Sequence, residues 1–178
     1  MKKVIPVAII CLLIFWISRI FSINQYPPAC TVYNIGDTVD CGDLELHFAG
    51  SDLDDPDVFK ERFGIEYDND FGEYKVIWIC IDVTSRSDAD IEWDDVFSFL
   101  ECGFESQVWG SVMSPEIDMQ INRLNSESLA PGATQRIWFA SPVNKICFKD
   151  SSWEKIGTYQ YYYVLSLSPV KTEVRLEV

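Results

Sequence analysis

The stretch YKVIWICIDVTSR, Tyr74 to Arg86, constrains the fold more than any other part of the chain. Ile77, Ile79, Ile81 and Val83 recur at period two, with Val76, Trp78, Cys80 and Asp82 between them. β-Branched side chains at that period belong on one face of a strand and require an apolar layer against them. The intervening face is only half polar, so the strand is expected in the middle of a sheet with a second layer packed on it.

Other segments supply that layer. Thr31 to Tyr33 is β-prone, and Leu44, Leu46 and Phe48 alternate with Glu45 and His47 in an edge or half-buried strand with His47 outward. Val58 to Phe63 suits a short helical turn. In VFSFLECGFESQVW, Phe97 and Phe99 are expected on one face of a strand and Val96, Leu100, Cys102 and Phe104 on the other, with Gly103 as a break. Ile117, Met119 and Ile121 alternate with polar residues, which predicts a half-buried strand over Glu116 to Leu124. The Leu129-Ala130-Pro131-Gly132 turn leads into Gln135 to Ala140, with Ile137 and Phe139 sharing a face. Tyr159 to Ser168 and Thr172 to Val178 complete the set. Seven to nine short strands, turn residues between them and no helix longer than about two turns predict an all-β, antiparallel β-sandwich, with a small barrel as the alternative closure.

Residues 1–22 stand apart. Lys2 and Lys3 precede the uncharged, largely apolar run Val4 to Ile17, and Ser18 and Arg19 interrupt it before Ile20 and Phe21. This pattern predicts an N-terminal hydrophobic helix acting as an uncleaved signal anchor, with a cleaved signal peptide as the alternative. Basic residues ahead of the run hold the N-terminus inside and export residues 23–178. Residues 23–30 read as a spacer and 31–178 as the domain. The expected location is the cell membrane, single-pass with an extracellular C-terminal domain, or secreted after cleavage.

Charge narrows the partners. With 28 acidic and 14 basic residues the formal net charge is −14, which repels phosphate backbones and argues against nucleic acid. Acids gather at Asp52, Asp54, Asp55 and Asp57, again at Asp68, Asp70 and Glu73, and again from Asp88 to Asp95. Several oxygen ligands in one place suit calcium, and a calcium-bound variant would draw the Asp52 to Asp57 and Asp68 to Glu73 loops together. Neither cluster has the twelve-position loop with its central glycine and terminal glutamate, so no metal ligand is assigned and no cofactor is expected.

Catalytic signatures are missing. The sequence has no C-x-x-C, G-x-G-x-x-G, P-loop or G-x-S-x-G pattern. His47 is its single histidine and reads as a solvated strand residue. Outside the N-terminal segment the cysteines are Cys30, Cys41, Cys80, Cys102 and Cys147; export permits disulfides, and Cys30 with Cys41 and Cys80 with Cys102 are the candidate pairs, with reduced, buried thiols as the alternative. Trp78, Trp93, Trp109, Trp138 and Trp153 suit either a carbohydrate or peptide site or the core, and exposure decides which.

GDTVDCGDLELHF, YKVIWICIDVTSRS, FSFLECG, LAPGATQRIWFASP and YYYVLSLSPV together resemble the immunoglobulin-like domains of uncharacterised secreted or membrane-tethered proteins of Gram-positive bacteria, especially clostridial ones. The resemblance spans residues 31–178 and implies an immunoglobulin-like sandwich; it carries no catalytic or ligand residue onto this chain. The acidic Asp52 to Asp70 insertion and the cysteine content depart from the pattern. The expected function is a membrane-tethered extracellular interaction module that is not an enzyme, with a cell-envelope protein or extracellular ligand as partner. A structural cell-envelope scaffold is the alternative, and an acid-base hydrolase a further one.

Overall fold

The periodic run from Tyr74 forms a twelve-residue strand, β4 (Tyr74–Ser85), in a sheet of order β2 (Thr38–Asp40), β3 (Leu44–Asp54), β4 and β9 (Thr134–Asn144). The computed structural model describes residues 12, 15–19, 30–67, 70–100, 102–111, 115–124, 126–167 and 170–178. β4 is antiparallel to β3 on one side and β9 on the other, and Ile77, Ile79, Ile81 and Val83 are fully buried.

A five-stranded sheet faces it, in the order β1 (Cys30–Asn34), β11 (Lys171–Arg175), β10 (Tyr161–Ser166), β6 (Gly103–Ser106) and β7 (Gly110–Ser111). Leu46, Phe48, Ile79, Ile81, Ile137 and Phe139 from the first sheet share one core with Phe104, Tyr161, Tyr163 and Val174 from the second. Phe139 stacks on Tyr163 with centroids 5.8 Å apart, and Tyr163 meets Phe104 edge-on at 5.4 Å. Both buried phenols are satisfied: Tyr161 donates to the Ile156 carbonyl and Tyr163 to the Leu100 carbonyl. A third pairing joins β5 (Ile91–Glu92) to β8 (Ser128–Leu129).

One expected strand is a helix, and another is a helix over its first half, with only its Gly103–Ser106 portion a strand. Residues Trp93–Leu100 form α2, which follows α1 (Pro56–Phe63), and Pro115–Ile121 form α3. In α2 the buried residues are Trp93, Val96 and Leu100, spaced three and four apart, while Asp94 and Asp95 sit in the first turn where the helix dipole favours acids. Phe97 and Phe99 therefore do not share a face: Phe97 packs edge-on to Phe139 and Phe99 is exposed. In α3, Ile117 and Ile121 are buried at i and i+4 and Met119 is 80% exposed. Both segments carry spacings that strand and helix templates share, and packing decides between them. A four-residue α4 (Asp150–Trp153) precedes β10.

The second face of β4 has its own cover. Val76, Trp78 and Cys80 join Phe59 of α1, Ile117 and Ile121 of α3 and Ala140 of β9 in a smaller apolar cluster on the outside of the four-stranded sheet. β3 is thus an inner strand of that sheet and not an edge, and His47 lies on its outer face, its Nδ1 3.2 Å from Thr38 Oγ1.

The chain divides into residues 1–30 and 31–178. In the first unit residues 12 and 15–19 are helical; the rest of the expected hydrophobic helix, 1–22, lies outside the described residues. Among the described residues no helix is long and apolar enough to cross a membrane.

Candidate functional site

Alternation along β9 sends Ile137 and Phe139 into the main core and Arg136, Trp138 and Ala140 to the outer face. β9 is also the last strand of its sheet, so its outer edge presents unpaired backbone groups. α3 satisfies them with side chains. Asp118 Oδ1 accepts from the Ala140 N–H at 3.0 Å and Asn122 Oδ1 accepts from the Trp138 N–H at 2.8 Å, while Asn122 Nδ2 donates to the Trp138 carbonyl at 2.7 Å. Both residues are buried, and this docking sets Arg123, the next residue, beside Trp138.

The opposite wall comes from the end of α1. Gly64 terminates that helix with φ of 72° and donates its N–H to the Lys60 carbonyl at 2.8 Å, a left-handed cap that glycine adopts without strain. A Cβ built on Gly64 would lie 3.9 Å from Arg123 Nη2, so the two walls approach each other here. Arg62, in the last turn, lies over the Trp78 ring at 4.7 Å and donates from Nε to Asp54 Oδ2 at 3.1 Å. Asp54 is buried and also accepts from Trp78 Nε1 at 2.8 Å. Phe63 meets Trp78 and Trp138 edge-on at 6.0 and 6.2 Å.

Between these walls lies a cleft of about 660 Å³ lined by Arg62, Phe63, Gly64, Trp78, Ile121, Arg123, Gln135, Arg136 and Trp138. Three guanidinium groups and two indoles face it, and among the described residues its lining contains no carboxylate, imidazole or thiol. Two arginines are spoken for: Arg62 by Asp54 and, at 3.7 Å, Asp52, and Arg136 by a bidentate pair with Asp82 at 2.7 and 2.8 Å. The guanidinium of Arg136 holds the Asp82 carboxyl below its usual value. Among the described residues Arg123 has no ion-pair partner. The arrangement suits binding of an anionic group against an aromatic wall.

Four of the acids singled out in the sequence are held in ion pairs. Besides the pairs of Asp52 and Asp54 with Arg62, Asp55 accepts from Lys75 at 2.6 Å, and Glu73 from Lys145 at 2.7 Å and Trp153 Nε1 at 2.8 Å. Asp68 lies outside the described residues. Among the described residues no group of three or more His, Cys, Asp or Glu side chains is placed to hold a metal ion.

The candidate disulfides are not formed. Cys80 carries a free thiol on the outer face of β4, packed among Trp78 and its neighbours, whereas Cys102 precedes β6 of the facing sheet and donates to the Leu165 carbonyl at 3.0 Å. The inward row of β4 stands between those two layers. Cys41 is also a free thiol, so the pairing proposed for it with Cys30 is not made. Burial raises the pKa of Cys41 and Cys102 and pushes that of Cys80 up to about 11. Cys41 and Cys102 instead line a second cavity of about 480 Å³ with Phe99, Leu165 and Leu167.

Of the five tryptophans in the domain, Trp78, Trp93 and Trp153 are buried, and Trp78 and the half-buried Trp138 reach the cleft. Arg62, Arg123 and Arg136 lie far apart in the sequence, and only the packing of α1 and α3 on the four-stranded sheet brings them together. The alternation over Gln135 to Ala140 nonetheless carried the signal, since placing Ile137 and Phe139 inward places Arg136 and Trp138 together outward.

No protein-family profile and no curated protein matches the sequence. Among solved structures, an uncharacterised β-sandwich protein from Clostridium difficile 630 superposes with a TM-score of 0.55 at 13% identity, over 85% of this chain and 97% of that one. A conserved hypothetical protein from Bacillus anthracis superposes with a TM-score of 0.47 at 13% identity, over 73% of this chain and 87% of that one. The fold is a β-sandwich.

Proposed function

We propose that this chain is a membrane-tethered extracellular interaction module built on an immunoglobulin-like sandwich, and that the arginine–tryptophan cleft is its recognition site for an anionic ligand. The observation that carries the reading is the concentration of three guanidinium groups in one cleft of a protein of net charge −14, with Arg123 left without an ion-pair partner among the described residues. A cation with no internal counter-charge beside aromatic side chains is poorly accounted for by stability, because an exposed lysine or glutamine would solvate as well. It is well accounted for by a ligand that brings the missing anion. The export half of the proposal rests on Lys2 and Lys3 ahead of the apolar run and on the resemblance to uncharacterised secreted or membrane-tethered proteins.

The test is a tryptophan-fluorescence titration of the purified full chain with soluble bacterial envelope fragments. A saturable change that Arg123→Gln weakens at least tenfold supports the cleft; a change indifferent to Arg123, or none with any fragment, contradicts it. Protease added to intact, wall-stripped cells checks the export half: digestion of the C-terminal domain is expected, and its protection would contradict export.

A further inference from the structure

We infer that the ligand of this cleft is a saturated ring bearing a single carboxylate, a sugar acid and not a polyanion. The inference rests on the cleft reading above and adds the chemical class. Arg62 and Arg136 are held by Asp54 and Asp82, so they shape the cleft and polarise it without offering a free fork. Arg123 is left to engage the ligand, and one guanidinium matches one carboxylate through two parallel N–H donors. A polyanion would have to lay further charges along a surface whose acids outnumber its bases two to one, and the long-range field opposes that approach. A monoanion meets the same field once and recovers the cost at short range.

The rest of the lining selects the body that carries the carboxylate. Trp138 and Phe63 offer apolar ring surface of the kind that packs on the C–H face of a saturated ring. Gln135 gives its Nε2 to the Arg136 carbonyl at 3.1 Å, and its Oε1 is an acceptor suited to a hydroxyl. A volume of about 660 Å³ falls within the roughly 300–1,000 Å³ of small-molecule sites. Apolar wall, one hydroxyl acceptor and one free guanidinium together describe a hydroxylated ring acid better than a bare carboxylate or a flat aromatic one.

Calorimetric titration of the full chain with glucuronate, its methyl ester, glucose, benzoate and acetate tests this at physiological ionic strength. Saturable glucuronate binding is expected, with the ester, glucose, benzoate and acetate each at least tenfold weaker. Arg123→Gln should cost about 10- to 100-fold, the range of a charge-assisted hydrogen bond, and Arg123→Lys less, since lysine keeps the charge and loses the fork. Trp138→Phe, which keeps a ring, should weaken glucuronate several-fold with the thermal transition unchanged. Benzoate or acetate binding as tightly as glucuronate, in an Arg123-dependent way, overturns the sugar-acid inference and leaves the cleft reading standing. Equal binding of glucose and glucuronate overturns it likewise. Glucuronate binding untouched by Arg123→Gln and Trp138→Phe overturns both, and no binding of any probe at millimolar concentration overturns the inference while the envelope titration decides the cleft.

Discussion

At the scale of single residues, the outer face of the four-stranded sheet is a row of neighbours with opposite demands. Cys80 lies opposite Trp138 and Asp82 opposite Arg136, so a buried thiol adjoins an aromatic wall and an ion pair closes the row. Burial raises the Cys80 pKa to about 11, and at pH 8 that thiol should resist maleimide in the folded chain while exposed Cys147 is modified; unfolding should release it. Mass mapping of the labelled sites checks this, and equal labelling of both in the native state would contradict the packed outer face. Asp82 makes the complementary prediction. Its carboxyl is depressed by Arg136 from the ordinary 3.8, so as pH falls the unfolded chain takes up the proton first. The pair's contribution is therefore fully present above pH ~4 and is lost as pH drops through the folded value. Half of the Arg136 side chain is exposed, so solvent screens the pair to about 1 kcal/mol or less. Asp82→Asn should remove that increment at pH 7 and flatten the acid limb of stability, measured by urea unfolding between pH 7 and 3; an unchanged acid limb would contradict it. The sequence placed Cys80 and Asp82 on one face of a strand correctly, but their partners across the strand depend on register, which no single strand specifies.

Among elements, α3 is the piece on which the cleft depends. A seven-residue helix is too short to be stable alone, and here it is held by Asp118 and Asn122 acting as surrogate strand neighbours to β9. Asn122→Ala leaves the Trp138 N–H and carbonyl without those partners and should cost about 1–3 kcal/mol, seen as a lowered urea midpoint with unchanged slope. The same variant should loosen Arg123 and weaken ligand binding; full stability and full binding together would contradict this role for α3. Elements also mark where sequence and structure part company. The strongly periodic strands β3, β4, β9 and β10 and the short α1 were legible because their burial patterns fit one template. α2 and α3 were not, because Val96, Leu100, Ile117 and Ile121 satisfy alternation and a helical stripe equally. Only the tertiary layer, which must plug the main core with Trp93 and cover the outer face with Ile117, selects the helix.

Across the whole molecule, two sheets bury one core and the four-stranded sheet carries a second, smaller core on its back. That second layer is what creates a cleft at all: a bare sandwich face would present Trp78 and Cys80 to solvent, whereas α1 and α3 cover them and leave a gap between their C-terminal ends. Both helix ends carry an arginine into that gap, and both cap-side positions favour a cation by the helix dipole. The unpaired guanidinium of the cleft and the acidic surface are thus products of different rules, one local and one global, and the proposed recognition of a small anion rests on their contrast. Hydrogen–deuterium exchange of the full chain, with and without saturating envelope-derived ligand, tests this directly. New protection is predicted over residues 62–64, 121–124 and 135–138, with the 480 Å³ cavity beside Phe99 and Leu167 unaffected. Protection confined to Phe99, Cys102 and Leu165 to Leu167, with the arginine cleft exchanging as before, would contradict the account.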